Sequence, residues 1–219
     1  IRDSVIAKLD DGMKLCIAEA DTESYPGMYL VSSSDRPVLH GMFAAYPRKE
    51  ERGGHNQLQM LVKSRESYIA RVIGPRSFPW RTFIVTRKDG ELSESDMVYR
   101  LASPSRVKNI DWIKPGKVAW EWWNYWGLYN VDFRAGINTE TYKYYIDFAS
   151  KNNIEYVILD EGWSVKYAGD LLKVIPEIDL PELLRYAKGR NVGIILWAGY
   201  HAIERDMEHV VKHLSLIHI

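Results

Sequence analysis

The chain has 219 residues, 46% hydrophobic and 26% charged, the profile of a globular protein able to bury a core of one large or two modest domains. Lys+Arg 29 balance Asp+Glu 29, so no net field draws it to nucleic acid or to an acidic membrane, and a neutral ligand suits it better. One cysteine, Cys16, excludes an internal disulfide, and no apolar run is long enough to span a bilayer. The chain opens on Ile1 rather than Met, so a signal peptide could have preceded it.

Residues 1 to about 100 read as short strands and turns. Asp10-Asp11-Gly12 separates two apolar runs, Val5–Leu9 and Met13–Ala18, which predicts a hairpin. Tyr25-Pro26-Gly27 is a second turn before Met28–Val31. Further extended runs are predicted at Val38–Ala45, Tyr68–Ile73 and Thr82–Val85, and no stretch keeps a 3.6-residue apolar period. The pattern predicts an antiparallel β-sandwich over residues 1–105, entered partway, with Arg48–Gly54 a charged loop tip and 92–115 a connector.

Glu19, Asp21 and Glu23 alternate where a strand should end. Extended backbone would put them on one face, spaced to gather a hard cation such as calcium (Ca2+), or simply to face solvent.

After Pro115 the pattern becomes strand, loop, helix, repeated. Val118–Trp120 is a short apolar strand running into a loop that carries Trp120, Glu121, Trp122, Trp123, Asn124 and Trp126. Indole faces interrupted by a carboxylate and an amide suit a pyranose, whose C–H faces stack while its hydroxyls bond to Glu121 and Asn124. Any one tryptophan could be a core residue instead. A helix is predicted from Asn138 or Thr139 to about Asn152, then a buried strand, Tyr156–Leu159, delivering Asp160, Glu161 and Trp163. A longer loop leads to Asp179, the N-cap of a helix through Lys188, followed by a third strand, Val192–Trp197, then Tyr200, His201 and a helix over 203–213.

Three βα units in 106–219 predict a parallel sheet with helices outside, either doubly wound or the start of a (β/α)8 TIM barrel. No glycine-rich phosphate loop favours the dinucleotide-binding version. The chemistry-bearing residues all follow strands, where barrel sites are built. Adjacent Asp160 and Glu161 cannot flank a scissile bond as a glycosidase pair does, although one could meet a ligand. His209 and His213 stand at i, i+4 on a helix, a spacing metals use, but read better as a surface pair.

The segments Ile17-Ala-Glu-Ala-Asp21, Tyr25–Leu30, Pro79-Trp-Arg81, Lys117–Asn124, Leu159–Trp163 and Ile195–Trp197 together resemble glycoside hydrolase family 97. The resemblance covers nearly the whole chain. It implies a calcium-dependent α-glucosidase or α-galactosidase acting on oligosaccharides, periplasmic or secreted. It also implies an N-terminal β-sandwich joined to a catalytic (β/α)8 barrel of which only the first three units are present. Glu19 would be a metal ligand. Trp120, Glu121, Trp122, Trp123, Asn124, Asp160, Trp163 and His201 would contact sugar. The catalytic carboxylates would lie beyond Ile219, so the chain alone is expected to be inactive, and galactose against glucose, and retention against inversion, stay open. The 214–219 end departs from the family pattern and is set aside as a possible foreign tail. The rival reading is a non-catalytic carbohydrate-binding module using the same tryptophans.

Overall fold

The computed structural model describes residues 4–165 and 170–217 in two units, 1–49 with 62–110, and 50–61 with 111–219. The first unit is built on an antiparallel sheet. Strand β1 (Ser4–Lys8) pairs with β2 (Lys14–Ala20) across the predicted turn, where Gly12 takes φ +81° and Asp11 Oδ1 accepts from Met13 N–H at 3.0 Å. A second hairpin joins β3 (Met28–Ser32) to β4 (Leu39–Phe43).

The predicted loop tip at 48–54 is instead a strand. β5 (Pro47–Gly53) pairs with β6 (Gln59–Arg65), and residues 50–61 of this hairpin group with the second unit. Its run of charges marks a solvent-facing strand, a composition that also reads as loop. Tyr68–Ile73, predicted extended, forms no strand, whereas β7 (Trp80–Thr86) pairs with β2 so that Glu19 faces Arg81. The connector contains two five-residue helices, α1 (Asp89–Ser93) and α2 (Met97–Leu101), too short to display a helical period.

The second unit carries a parallel sheet in the order β8 (Val118–Trp120), β9 (Tyr156–Leu159), β12 (Gly193–Leu196), β9 in the middle. Gly193 is required by close approach: a Cβ there would lie 2.6 Å from the Tyr156 ring. Helix α3 (Thr139–Lys151) links β8 to β9, with Asn138 Oδ1 capping Thr141 N–H at 2.9 Å. Its Tyr142, Tyr145, Ile146 and Ala149 are buried at i, i+3, i+4 and i+7. The expected loop after β9 holds a small hairpin, β10 (Ser164–Val165) and β11 (Asp170–Val174); residues 166–169 of that loop lie outside the described part. Helix α4 (Leu180–Lys188) is capped by Asp179 and carries Pro181 in its first turn.

The last helix divides at Asp206 into α5 (Tyr200–Arg205) and α6 (Met207–Ile217). Residues 214–217 of the suspected tail continue α6, while 218 and 219 lie outside the described residues. The unit's core is one cluster that includes Ile146, Val157, Leu159, Leu183 and Ile194. Among the described residues no helix is long and apolar enough to cross a membrane.

Candidate functional site

The sheet's carboxyl end is where the side chains gather. β8 ends at Trp120 and passes into a 3-10 turn, Glu121–Asn124, closed by two consecutive left-handed residues, Tyr125 (φ +55°) and Trp126 (φ +53°). Neither is glycine, so the turn holds backbone strain of about 1–3 kcal/mol per residue. The turn throws the rings of Trp120, Trp122 and Trp123 outward; Trp120 stacks on Trp122 at 5.7 Å between centroids and lies 5.8 Å from Trp123. Trp123 is 78% exposed, and the three make an aromatic shelf.

The polar residues between the rings do something else. Glu121 is fully buried, its Oε1 accepting from Tyr142 Oη–H at 2.8 Å and from Asp160 N–H at 2.8 Å, while Oε2 has no partner. Burial pushes its carboxyl above the ordinary 4.5, and those two donors offset the rise only in part. Asn124 accepts from Tyr145 Oη–H of α3 at 2.7 Å and donates to Gly127 O at 3.2 Å, and it stays exposed. Glu121, expected to bond sugar hydroxyls, is thus turned inward to support the loop, whereas Asn124 remains at its surface: a strand-end loop must satisfy its own polar groups before it can present anything.

Asp160 accepts from Trp120 Nε1–H and from Glu161 N–H, which fixes the Trp120 ring over the end of β9. Trp163 is buried, donating to Trp197 O at 2.7 Å, so it forms part of the floor. His201 sits half-buried in the first turn of α5 rather than on a strand-end loop. His209 is exposed beside Asp206, 2.7 Å away, and His213 is exposed too.

Glu161, adjacent to Asp160, is the carboxylate that reaches a cavity. Its Oε1 accepts from Asn56 Nδ2–H and its Oε2 lies 3.1 Å from His55 Nε2. The cavity, about 440 Å³, is lined by His55, Gln59, Met60, Glu161, Trp197 and Tyr200 among others. Sequence reasoning assigned nothing to 55–60, and a partner 105 positions away leaves no local signal.

In the first unit the acidic triplet does not share a face. β2 stops at Ala20, and Asp21 (φ +56°) and Glu23 (φ +35°) turn the chain, which ends the alternation. Asp21 accepts from Ser103 N–H and Oγ–H, bonds that hold its carboxyl below the usual value, and Glu23 lies 3.9 Å from Arg106. Glu19 Oε1 is 3.0 Å from Arg81 Nε, and Oε2 accepts from Met28 N–H at 2.7 Å. It also lines a cavity of about 420 Å³ with Thr22, Pro26 and Met28. Among the described residues no three His, Cys, Asp or Glu side chains converge as metal ligands. Glu19 is held by Arg81 and the Met28 amide, and it forms no cluster of hard-cation ligands with Asp21 and Glu23.

Two family models match the chain one after the other. The family model described as Glycosyl-hydrolase 97 N-terminal matches residues 2–104, and that of Glycoside hydrolase 97 matches residues 122–219. The chain belongs to glycoside hydrolase family 97. A retaining alpha-galactosidase of Bacteroides thetaiotaomicron is 57% identical over 211 residues, 96% of this chain and 32% of its own length. A probable retaining alpha-galactosidase of Streptomyces bingchenggensis is 32% identical over 143 residues, 62% of this chain and 21% of its own. Thus this family 97 chain spans a third or less of the length of these curated relatives. Among solved structures, a family 97 enzyme of Pseudoalteromonas sp. strain K8 in complex with acarbose superposes with a TM-score of 0.70 at 24% identity, over 98% of this chain and 32% of that one. A beta-arabinopyranosidase superposes at 0.58 and 20% identity, over 91% and 28%. These two likenesses speak to the fold.

Proposed function

We propose that this chain is part of a retaining α-galactosidase that removes terminal α-linked galactose from oligosaccharides. The observation that carries the reading is the 57% identity to a retaining alpha-galactosidase across 96% of the chain. The aromatic shelf and the Glu161 cavity at the sheet's carboxyl end suit it, since a neutral sugar stacks on indole and bonds to a fixed carboxylate. The order β8, β9, β12, with a helix after each of the first two strands, supports the opening of a (β/α)8 barrel, and the antiparallel unit before it the end of a β-sandwich.

In a retaining reaction one carboxylate attacks the anomeric carbon while a carboxylic acid protonates the departing oxygen; water then resolves the glycosyl-enzyme. Neither role fits Glu121, which is fully buried, or Asp160, whose oxygens hold Trp120 and Glu161 N–H. We assign both roles to strands beyond these three. This chain contributes the sugar-facing wall. A periplasmic or secreted location goes with the same reading.

Assaying the full-length protein on nitrophenyl α-galactoside and α-glucoside tests the proposal. Faster release from the galactoside is expected, with α-galactose the first anomer seen by proton NMR. A preference for the glucoside would remove the galactose assignment, and β-anomer first would remove retention. Sugar binding without any hydrolysis would return the chain to the carbohydrate-binding module.

Calcium dependence belongs to the proposal as well. Glu19 would be this chain's contribution, with other ligands supplied elsewhere in the protein. Bound calcium would supply positive charge beside Glu19. Glutamine at 19 keeps the size but removes the charge a hard cation selects. Glu19→Gln should therefore shift to higher calcium the midpoint of calcium-induced thermal stabilisation, by about tenfold. Unchanged midpoints would leave Glu19 as the partner of Arg81 only.

A further inference from the structure

The tip of the β5–β6 hairpin carries left-handed backbone at Gly54 (φ +70°), Asn56 (φ +48°) and Gln57 (φ +61°). Two of these are not glycine, so the conformation is held against its own preference. It is held on several sides: Gln57 N–H donates to Gly54 O at 3.2 Å, Leu58 N–H to His55 O at 3.1 Å, and Arg52 Nε–H to Gln57 O at 2.7 Å. Leu58 packs so near Gly199 that a Cβ there would meet it at 3.3 Å. The tip is thereby seated against the loop that follows β12.

That seating brings an amide donor and an imidazole to one carboxylate, with Asn56 Nδ2 also 3.1 Å from His55 Nε2. Asn56 Nδ2–H reaches Oε1 of Glu161 and His55 Nε2 lies 3.1 Å from Oε2, while the Glu161 side chain is 14% exposed at the cavity wall. A carboxylate with a polar neighbour against each oxygen is restricted in its swing, and each oxygen keeps a lone-pair direction for a further donor. The rest of the wall includes a second carboxylate, Glu50, with Gln59, Met60, Trp197 and Tyr200, a mix of apolar and hydroxyl-matching surface without a Lys or Arg side chain.

We propose that His55 and Asn56 are positioning residues that aim Glu161 at the hydroxyls of a neutral pyranose in this cavity. The strained tip makes that aim rigid, so the hairpin sets sugar affinity without taking part in bond breaking. The inference rests on the reading of this protein as a sugar-binding glycosidase, and its test separates the two.

Asn56→Gly keeps the left-handed backbone and removes only the amide; Asn56→Asp keeps the shape but turns a donor into an acceptor facing Glu161. In the full-length protein both should melt within a few degrees of wild type. On nitrophenyl α-galactoside each should raise KM roughly tenfold with kcat within about twofold, because an aimed hydroxyl partner binds ground and transition states alike. Quenching of tryptophan emission by free galactose or glucose should weaken by the same factor. Wild-type KM and sugar affinity in Asn56→Gly would overturn the proposal, since a purely structural tip tolerates glycine. If the wild type cleaves neither glycoside yet binds a sugar, and Asn56→Gly weakens that binding, positioning stands and the α-galactosidase reading falls. Absence of binding by either sugar would overturn the positioning role.

Discussion

Glu19 in the antiparallel unit is partly buried and Glu121 at the head of the parallel sheet fully so, yet only the first meets a cation. Glu19 sits opposite Arg81 in the β2–β7 ladder, and Arg81 is itself packed over the rings of Phe43 and Tyr25, 4.9 and 5.5 Å from their centroids. Its charge is compensated. Glu121 has two neutral donors, a buried oxygen without a partner, and Asp160 nearby, so burial dominates and favours its protonated form. A carboxylate facing a guanidinium ties two strands of the ladder together; one drawn toward neutrality suits a brace under a loop. The aromatic shelf rests on the second kind.

Removing the cation should show the largest effect. Arg81→Met leaves Glu19 with only the Met28 amide, and breaking a buried pair on one side costs about 3 kcal/mol. Both partners are little exposed, 23% and 8% at the side chain, so solvent recovers little of that. Tyr142→Phe takes one neutral donor from Glu121 and should cost about 1–2 kcal/mol. Urea denaturation of both variants measures the pair. Equal losses would mean the two glutamates are held alike and the contrast is false.

How far the sequence foretold these two environments follows from the range of the interactions. The caps Asn138 and Asp179 and the strands 118–120 and 156–159 were legible, because a cap and a buried run are signals a few residues long. Pro47–Gly53 was not, since its charges suit an exposed strand as well as a loop, and only pairing with Gln59–Arg65 decides between them. At the site, the tryptophan loop announced itself by composition. The sorting of its neighbours did not: that Glu121 turns inward to Tyr142, and that Glu161 rather than Asp160 meets the cavity, depends on contacts 21 and 105 residues apart. For the acidic triplet, spacing predicted one shared face, and two left-handed residues dispersed it.

Glu121→Gln probes the same contrast with the smallest perturbation, and its signature is a slope rather than a loss. Glutamine Oε1 can accept from Tyr142 and Asp160 N–H as the carboxylate does, and Nε2 replaces an oxygen that already lacks a partner. An unfolded glutamate titrates near 4.5, and the folded one higher because it is buried. Well below the unfolded value both states are protonated, and residue 121 adds no pH dependence. Between the unfolded and the raised folded value, the unfolded chain has released its proton while the folded chain retains it. The unfolded state then binds fewer protons, so stability falls as pH rises through that window. Above the folded value both are ionised and the fall ends. Glutamine has no proton to release, so the variant should lack this component. Urea midpoints from roughly pH 4 to 8 should therefore converge at the acid end and separate toward neutrality, with Glu121→Gln the more stable. Parallel curves would mean that burial does not raise the Glu121 carboxyl, and the distinction between the two glutamates would fail at its strongest point.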